Sequence, residues 1–171
     1  MSNSIVDEEN QYLTFRIGEE LFAIPILEIR EIKEYTAITS IPMMPNTIRG
    51  VINLRGNVVP VVDLAIRFRR QRKAVGKRTC IIILEVDLEE DSLDIGVIVD
   101  SVDQVVLISP TDIEPAPSFG SRIRLDFIKG IAKVEDKFII VLNTVKVFSI
   151  EELSQLEEAS EKDGVSAIDS K

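Results

Sequence analysis

The chain has 171 residues, one cysteine, no histidine and a formal charge of −9, with 29 acidic against 20 basic side chains. Without histidine, the triads and zinc arrangements that rely on imidazole are excluded. A single cysteine excludes an internal disulfide and argues against a cysteine-built metal centre, and the acidic balance opposes general nucleic-acid binding, which depends on neutralising phosphates.

Residues 1–10 read as a disordered leader: Asp7, Glu8 and Glu9 stand where a secretory signal would carry a basic region and an apolar core. No stretch approaches the roughly 20 apolar residues needed to span a bilayer, so direct membrane insertion is not expected and a cytoplasmic location is. From Gln11, the apolar positions Tyr12, Leu13, Phe15 and Ile17, then Gly18-Glu19-Glu20, then Leu21, Phe22, Ile24 and Ile26 predict a hairpin with a short polar turn. Pro25 followed by β-branched residues predicts that the chain continues as a bent strand carrying Ile29 and Ile32, although helical spacing is also compatible there.

Further strands are predicted at 48–53, 57–62, 79–86, 93–99, 101–108, 127–134 and 137–142, each bounded by Gly, Pro or charged residues. Many short strands favour an all-β barrel or sandwich over an α/β crossover fold. Helix is expected only as turns at 63–68 and 143–148 and as an amphipathic C-terminal helix opened by the capping box Ser149 and Glu152, with a frayed tail beyond Glu161. Cys80, within Thr79-Cys80-Ile81-Ile82-Ile83-Leu84, reads as a small buried apolar group rather than a reactive thiol.

The sequence repeats itself. Ile48-Arg49-Gly50-Val51 through Arg67-Phe68 aligns without a gap with Ile128-Lys129-Gly130-Ile131 through Val147-Phe148. A weaker match pairs Ala23-Ile24 with Gly96-Val97, Ile29 with Val102, Ile32 with Val105 and Pro42 with Pro115. Two related lobes follow. Asp63 and Asn143 are expected to cap a short helical turn in each. Phe68 and Phe148 are expected to plug the open ends of two small barrels.

Charge is unevenly spread. Arg67, Arg69, Arg70, Arg72, Lys73, Lys77 and Arg78 form a basic run, and Glu85, Asp87, Glu89, Glu90, Asp91 and Asp94 an acidic one. The two read as a solvated loop and an acidic hairpin tip; an acidic partner surface or anionic lipid is the other reading of the basic run.

The segment Ile41-Pro42-Met43-Met44-Pro45-Asn46-Thr47-Ile48-Arg49-Gly50-Val51-Ile52-Asn53-Leu54-Arg55-Gly56-Asn57-Val58-Val59-Pro60-Val61-Val62-Asp63-Leu64 closely resembles the motif of the CheW family of bacterial chemotaxis coupling proteins, and Ile95-Gly96-Val97-Ile98-Val99-Asp100 and Ile113-Glu114-Pro115-Ala116-Pro117 also look like family segments. The resemblance runs over 11–152, with 153–171 as C-terminal helix and tail. It implies two SH3-like five-stranded barrels packed together and intertwined, the fold shared with the regulatory domain of the kinase CheA and the N-terminal part of CheV. It also implies an adaptor rather than an enzyme, coupling the cytoplasmic tip of a chemoreceptor to the CheA regulatory domain at membrane-bound arrays, without a cofactor.

The family's receptor-coupling positions, in a groove between the barrels, fall here on Arg55, Gly50 and Ile29. Its kinase contacts carry over to Ile32 and Met43. Read from the residues alone, Arg55 is a turn arginine able to hold a carboxylate or carbonyl, or simply solvated. Gly50 and Gly56 relieve crowding or supply positive φ. Ile29 is an anchor if it faces outward and core if inward. Two alternatives stay open: a regulatory fragment of a CheV-like or CheA-like protein, and a small enzyme using carboxylates in the interlobe crevice. Gly18-Glu19-Glu20 does not make a phosphate-cradling loop.

Overall fold

A computed structural model describes residues 10–71, 74–87, 91–117 and 125–148. Residues 1–9 of the expected 1–10 leader, the Ser149 capping box and the C-terminal helix lie outside them, whereas Asn10 is described and its carbonyl accepts from the Ile108 amide at 2.9 Å. Among the described residues, eleven strands form two sheets: β1 (Gln11–Ile17), β2 (Glu20–Pro25), β3 (Ile29–Glu34), β4 (Ile48–Leu54), β5 (Asn57–Asp63), β6 (Cys80–Asp87), β7 (Ser92–Val99), β8 (Ser101–Leu107), β9 (Ile113–Glu114), β10 (Ile128–Val134) and β11 (Lys137–Leu142). Two single helical turns accompany them, α1 (Leu64–Arg67) and α2 (Thr144–Val147).

The first lobe is a five-stranded sheet in the order β3-β6-β7-β5-β4, and the second a six-stranded sheet in the order β8-β1-β2-β11-β10-β9. The chain's first hairpin therefore belongs to the lobe its last strands build, with β2 running parallel to β11. Where a bent strand was expected after Pro25, residues Ile26–Glu28 form a 3-10 turn and β3 starts at Ile29. This turn carries the chain from one lobe to the other. The two-residue β9, which makes the second sheet six-stranded, was not anticipated.

The long apolar runs are explained by strands buried on both faces. In β6, Ile81 and Ile83 fill the interior of the first lobe, while Ile82, Leu84 and Val86 face a core between the lobes. In β2, Leu21 and Ala23 fill the second lobe, while Phe22 and Ile24 join the same shared core. Burying each large apolar side chain contributes about 1.5–3 kcal/mol, so this shared core is what holds the lobes together.

The repeat is structural. In β4–β5, Ile48 pairs with Val62, Gly50 with Val61 after a bulge, and Leu54 with Asn57. In β10–β11, Ile128 pairs with Leu142, Gly130 with Val141 after a bulge, and Val134 with Lys137. The weaker match holds as well, since Gly96 pairs with Val61 and Ala23 with Val141. Asp63 accepts from the Ala65 and Ile66 amides and Asn143 from the Lys146 amide, so both caps form as expected.

Phe68 and Phe148 are both 1% exposed, but they do not plug separate barrels: both lie in the core between the lobes. Each follows a one-turn helix that leaves its own sheet and enters the interlobe layer. There Phe68 stacks on Phe22 and tilts against Phe127.

Candidate partner-binding surface

Arg55 and Gly56 are the two connecting residues of the β4–β5 hairpin, with φ of 53° and 86°. Two successive positive φ values match a type I′ turn, whose twist suits the flanking strands. The Asn53 side-chain oxygen accepts from the Gly56 amide at 2.8 Å and pins the turn. The Arg55 side chain is 81% exposed, and its Nη2 lies 3.6 Å from Glu31 Oε2. An exposed pair of this kind is worth at most about 1 kcal/mol, so the guanidinium can exchange Glu31 for another carboxylate at little cost.

Glu31 stands on β3 beside a bulge in the pairing with β6. Its neighbour Arg30 bridges Glu85 at 3.2 Å and Asp94 at 3.0 Å, which fastens part of the acidic run to the sheet edge. Ile29, opposite Leu84, is partly buried against the interlobe core. Ile32, opposite the fully buried Ile82, is 45% exposed. Its counterpart in the second lobe, Val105, pairs with Leu13 and is 48% exposed, as the repeat requires.

Gly50 is buried, and a Cβ there would lie 2.0 Å from the Thr39 carbonyl oxygen. Its bareness lets Thr39 and Val51 exchange two backbone hydrogen bonds of 2.9 Å, laying the segment between β3 and β4 across the sheet. That segment carries Met43, 48% exposed at φ 67°. Gly130 repeats the arrangement: a Cβ there would meet the Glu114 carbonyl oxygen at 2.6 Å.

Arg55, Gly50, Ile29, Ile32 and Met43 thus all stand on the first lobe, on its edge strand, its hairpin tip and the crossing segment. None of them lines the groove beside the β1–β2 turn and α1, although Ile29 packs against the interlobe core. That groove, about 410 Å³, is bordered by Ile17, Gly18, Glu20, Ala65, Arg70 and Asp100.

Contacts at two places across the lobes were not foreseen. Arg67 Nε donates to the Val147 carbonyl at 2.9 Å while its guanidinium sits 4.6 Å from the centroid of Phe127, and Arg70 pairs with Glu20. The first part of the basic run is therefore an interlobe clamp rather than a solvated loop. The three-residue spacing of Arg67 and Arg70 beside a helical turn was the available signal. The second contact lies at the crossing turn, where the Thr144 hydroxyl donates to Glu28. Burial pushes the Glu28 carboxyl above its ordinary range; the Thr144 hydrogen bond opposes this, Asp87 adds to it and Lys129 offsets it. No sequence pattern marks that pair, because it is made by the crossing itself.

Cys80 is partly buried, and burial, with Glu34 nearby, raises its thiol pKa, which disfavours the reactive thiolate. Asp63 and Asp100 share a cavity of about 20 Å³ with Tyr35 and Arg49, room for roughly one water. Among the described residues no helix is long and apolar enough to cross a membrane.

Two intertwined β lobes presenting an exposed arginine turn and apolar edge positions define a protein-binding scaffold, and the chain belongs to the CheW-like domain family, whose model matches residues 11–152. Among its relatives, the chemotaxis protein CheW of Klebsiella aerogenes is 31% identical over 144 residues, 84% of each chain. That of Rhizobium meliloti is 33% identical over 142 residues, 83% of this chain and 89% of the relative. The crystal structure of the scaffolding protein TtCheW from Thermoanaerobacter tengcongensis superposes with a TM-score of 0.74 at 37% identity, covering 83% of this chain and 89% of that one. The chain accordingly has a chemotaxis scaffold role.

Proposed function

We propose that the chain couples the cytoplasmic tip of a chemoreceptor to the regulatory domain of the chemotaxis kinase CheA, as an adaptor without catalytic chemistry. The observation that carries the reading is the Arg55 turn: a planar donor fork on a pinned hairpin, held among the described residues by one exposed ion pair to Glu31. A helical receptor tip offers carboxylates and carbonyls that such a fork can take up. Ile29 supplies apolar surface on the strand that carries Glu31. Gly50 acts through the backbone, by seating the crossing segment against β4. Ile32 and Met43, both about half exposed, are the apolar positions that we assign to the kinase contact from among the exposed apolar residues.

The test is calorimetric titration of a receptor cytoplasmic fragment into the chain and its Arg55→Glu variant. Charge reversal should weaken binding by about tenfold or more, equivalent to about 1.4 kcal/mol, with an unchanged circular dichroism spectrum. Equal affinity with a native spectrum would remove Arg55 from the receptor contact.

A further inference from the structure

The gapless repeat sets Arg55-Gly56 of the first lobe against Glu135-Asp136 of the second. The backbone obeys the match: Arg55 and Gly56 have φ of 53° and 86°, Glu135 and Asp136 φ of 50° and 65°. The same register closes both turns, Leu54 opposite Asn57 and Val134 opposite Lys137. Yet the charge at the tip is reversed. Arginine and glutamate stand at nearly the same φ, so the turn geometry does not dictate that reversal.

Around the tip, the second lobe keeps the other parts of the Arg55 surface. Ile29 and its counterpart Val102 are both partly buried against the interlobe core. Ile32 and Val105 are both about half exposed, and Val58 and Phe138, at equivalent places just past the tips, are exposed by 73% and 69%. Gly50 and Gly130 are both buried, each bare against the carbonyl of a crossing segment. Where Glu31 faces Arg55, the weaker repeat places the neutral Gln104. The surfaces part at the tip. Lys133 Nζ lies 3.9 Å from Asp136 Oδ1, but both side chains are largely exposed, and such a pair neutralises little. A carboxylate brought to this turn meets like charge where the first lobe offers a donor fork, and like charges set against each other suppress a contact that the remaining surface would accept.

We infer that the second lobe carries a copy of the receptor-reading surface that the acidic turn Glu135-Asp136 closes to carboxylate-bearing partners, which confines receptor reading to the first lobe. The inference rests on Arg55 as the receptor contact. It adds Glu135 and Asp136 as the residues that decide which of two similar lobes is read.

The experiment is calorimetric titration of a receptor cytoplasmic fragment into full-length chains carrying Arg55→Glu, alone and together with Glu135→Arg and Asp136→Gly. The two introduced residues are those the first turn holds at similar φ, so the hairpin should keep its shape and the circular dichroism spectrum should not change. Arg55→Glu alone should bind about tenfold more weakly than the parent, and adding the exchanged turn should restore the affinity to within about threefold of it. A weakened Arg55→Glu chain that the exchanged turn does not rescue would overturn the inference while leaving Arg55 as the receptor contact. Equal rescue by Asp112→Arg, a charge reversal on the turn between β8 and β9, would overturn it as well, because attraction by net charge would then suffice. Parent-like binding by Arg55→Glu alone would remove both the receptor contact and the inference.

Discussion

Phe68 of the first lobe stacks on Phe22 of the second, with ring centroids 5.1 Å apart and planes inclined by 29°. Phe22 in turn stacks on Phe15 at 5.9 Å, and Phe127 closes the cluster 6.2 Å from Phe68. Residues from three distant parts of the chain thus meet in one layer, and the lobes are expected to unfold together. Phe68→Ala should cost about 3–5 kcal/mol through lost transfer energy and an unfilled cavity. Urea unfolding should show this loss in one transition; a loss below about 1 kcal/mol would mean the ring is not part of the structural core.

The two glycines of the β4–β5 hairpin separate two kinds of constraint. A methyl at Gly50 would collide with the Thr39 carbonyl, whereas at Gly56 it would meet no heavy atom within 4 Å. Gly56→Ala should therefore cost only the left-handed backbone penalty, about 1–2 kcal/mol. Gly50→Ala should cost more and expose the Thr39 and Val51 amides to faster hydrogen exchange. Equal stability losses for the two variants, without a change in Val51 exchange, would contradict this division.

Glu28 yields a pH dependence of defined sign. Its folded-state pKa is raised above the ordinary value of 4.5, mainly by burial. The folded chain therefore binds its proton more tightly than the unfolded chain. The resulting stabilisation is complete below the ordinary value and is lost as pH rises through the raised one. Glu28→Gln stays neutral at all pH and keeps an oxygen for the Thr144 hydroxyl. It should exceed the parent in stability at pH 7, with the difference shrinking toward about pH 4. A variant less stable than the parent at pH 7 would show that the ionised carboxylate contributes more than its burial costs.

How much could be read in advance depended on what each residue reports. The gapless match of Ile48–Phe68 with Ile128–Phe148 carries register directly, which is why the equivalent pairs Ile52 with Val59 and Ala132 with Ile139 recur in the two hairpins. The caps at Asp63 and Asn143 were legible because they are local. Alternation showed that β1 and β2 are buried but not by what, so their place in the second lobe was hidden. Phe68 was recognisable as core, but the choice between barrel end and interlobe layer is made by Phe22, 46 positions away in sequence. For the candidate site, the Arg55 turn was visible in its residues, whereas its Glu31 partner is set by tertiary closure of the sheet.

The most direct test of the adaptor account is size-exclusion chromatography with light scattering on the chain mixed with a receptor cytoplasmic fragment and a CheA regulatory domain. The account predicts one species containing all three proteins, from which the receptor fragment alone is lost with Arg55→Glu. Binary complexes that exclude one another, or a ternary species unaffected by that substitution, would contradict it.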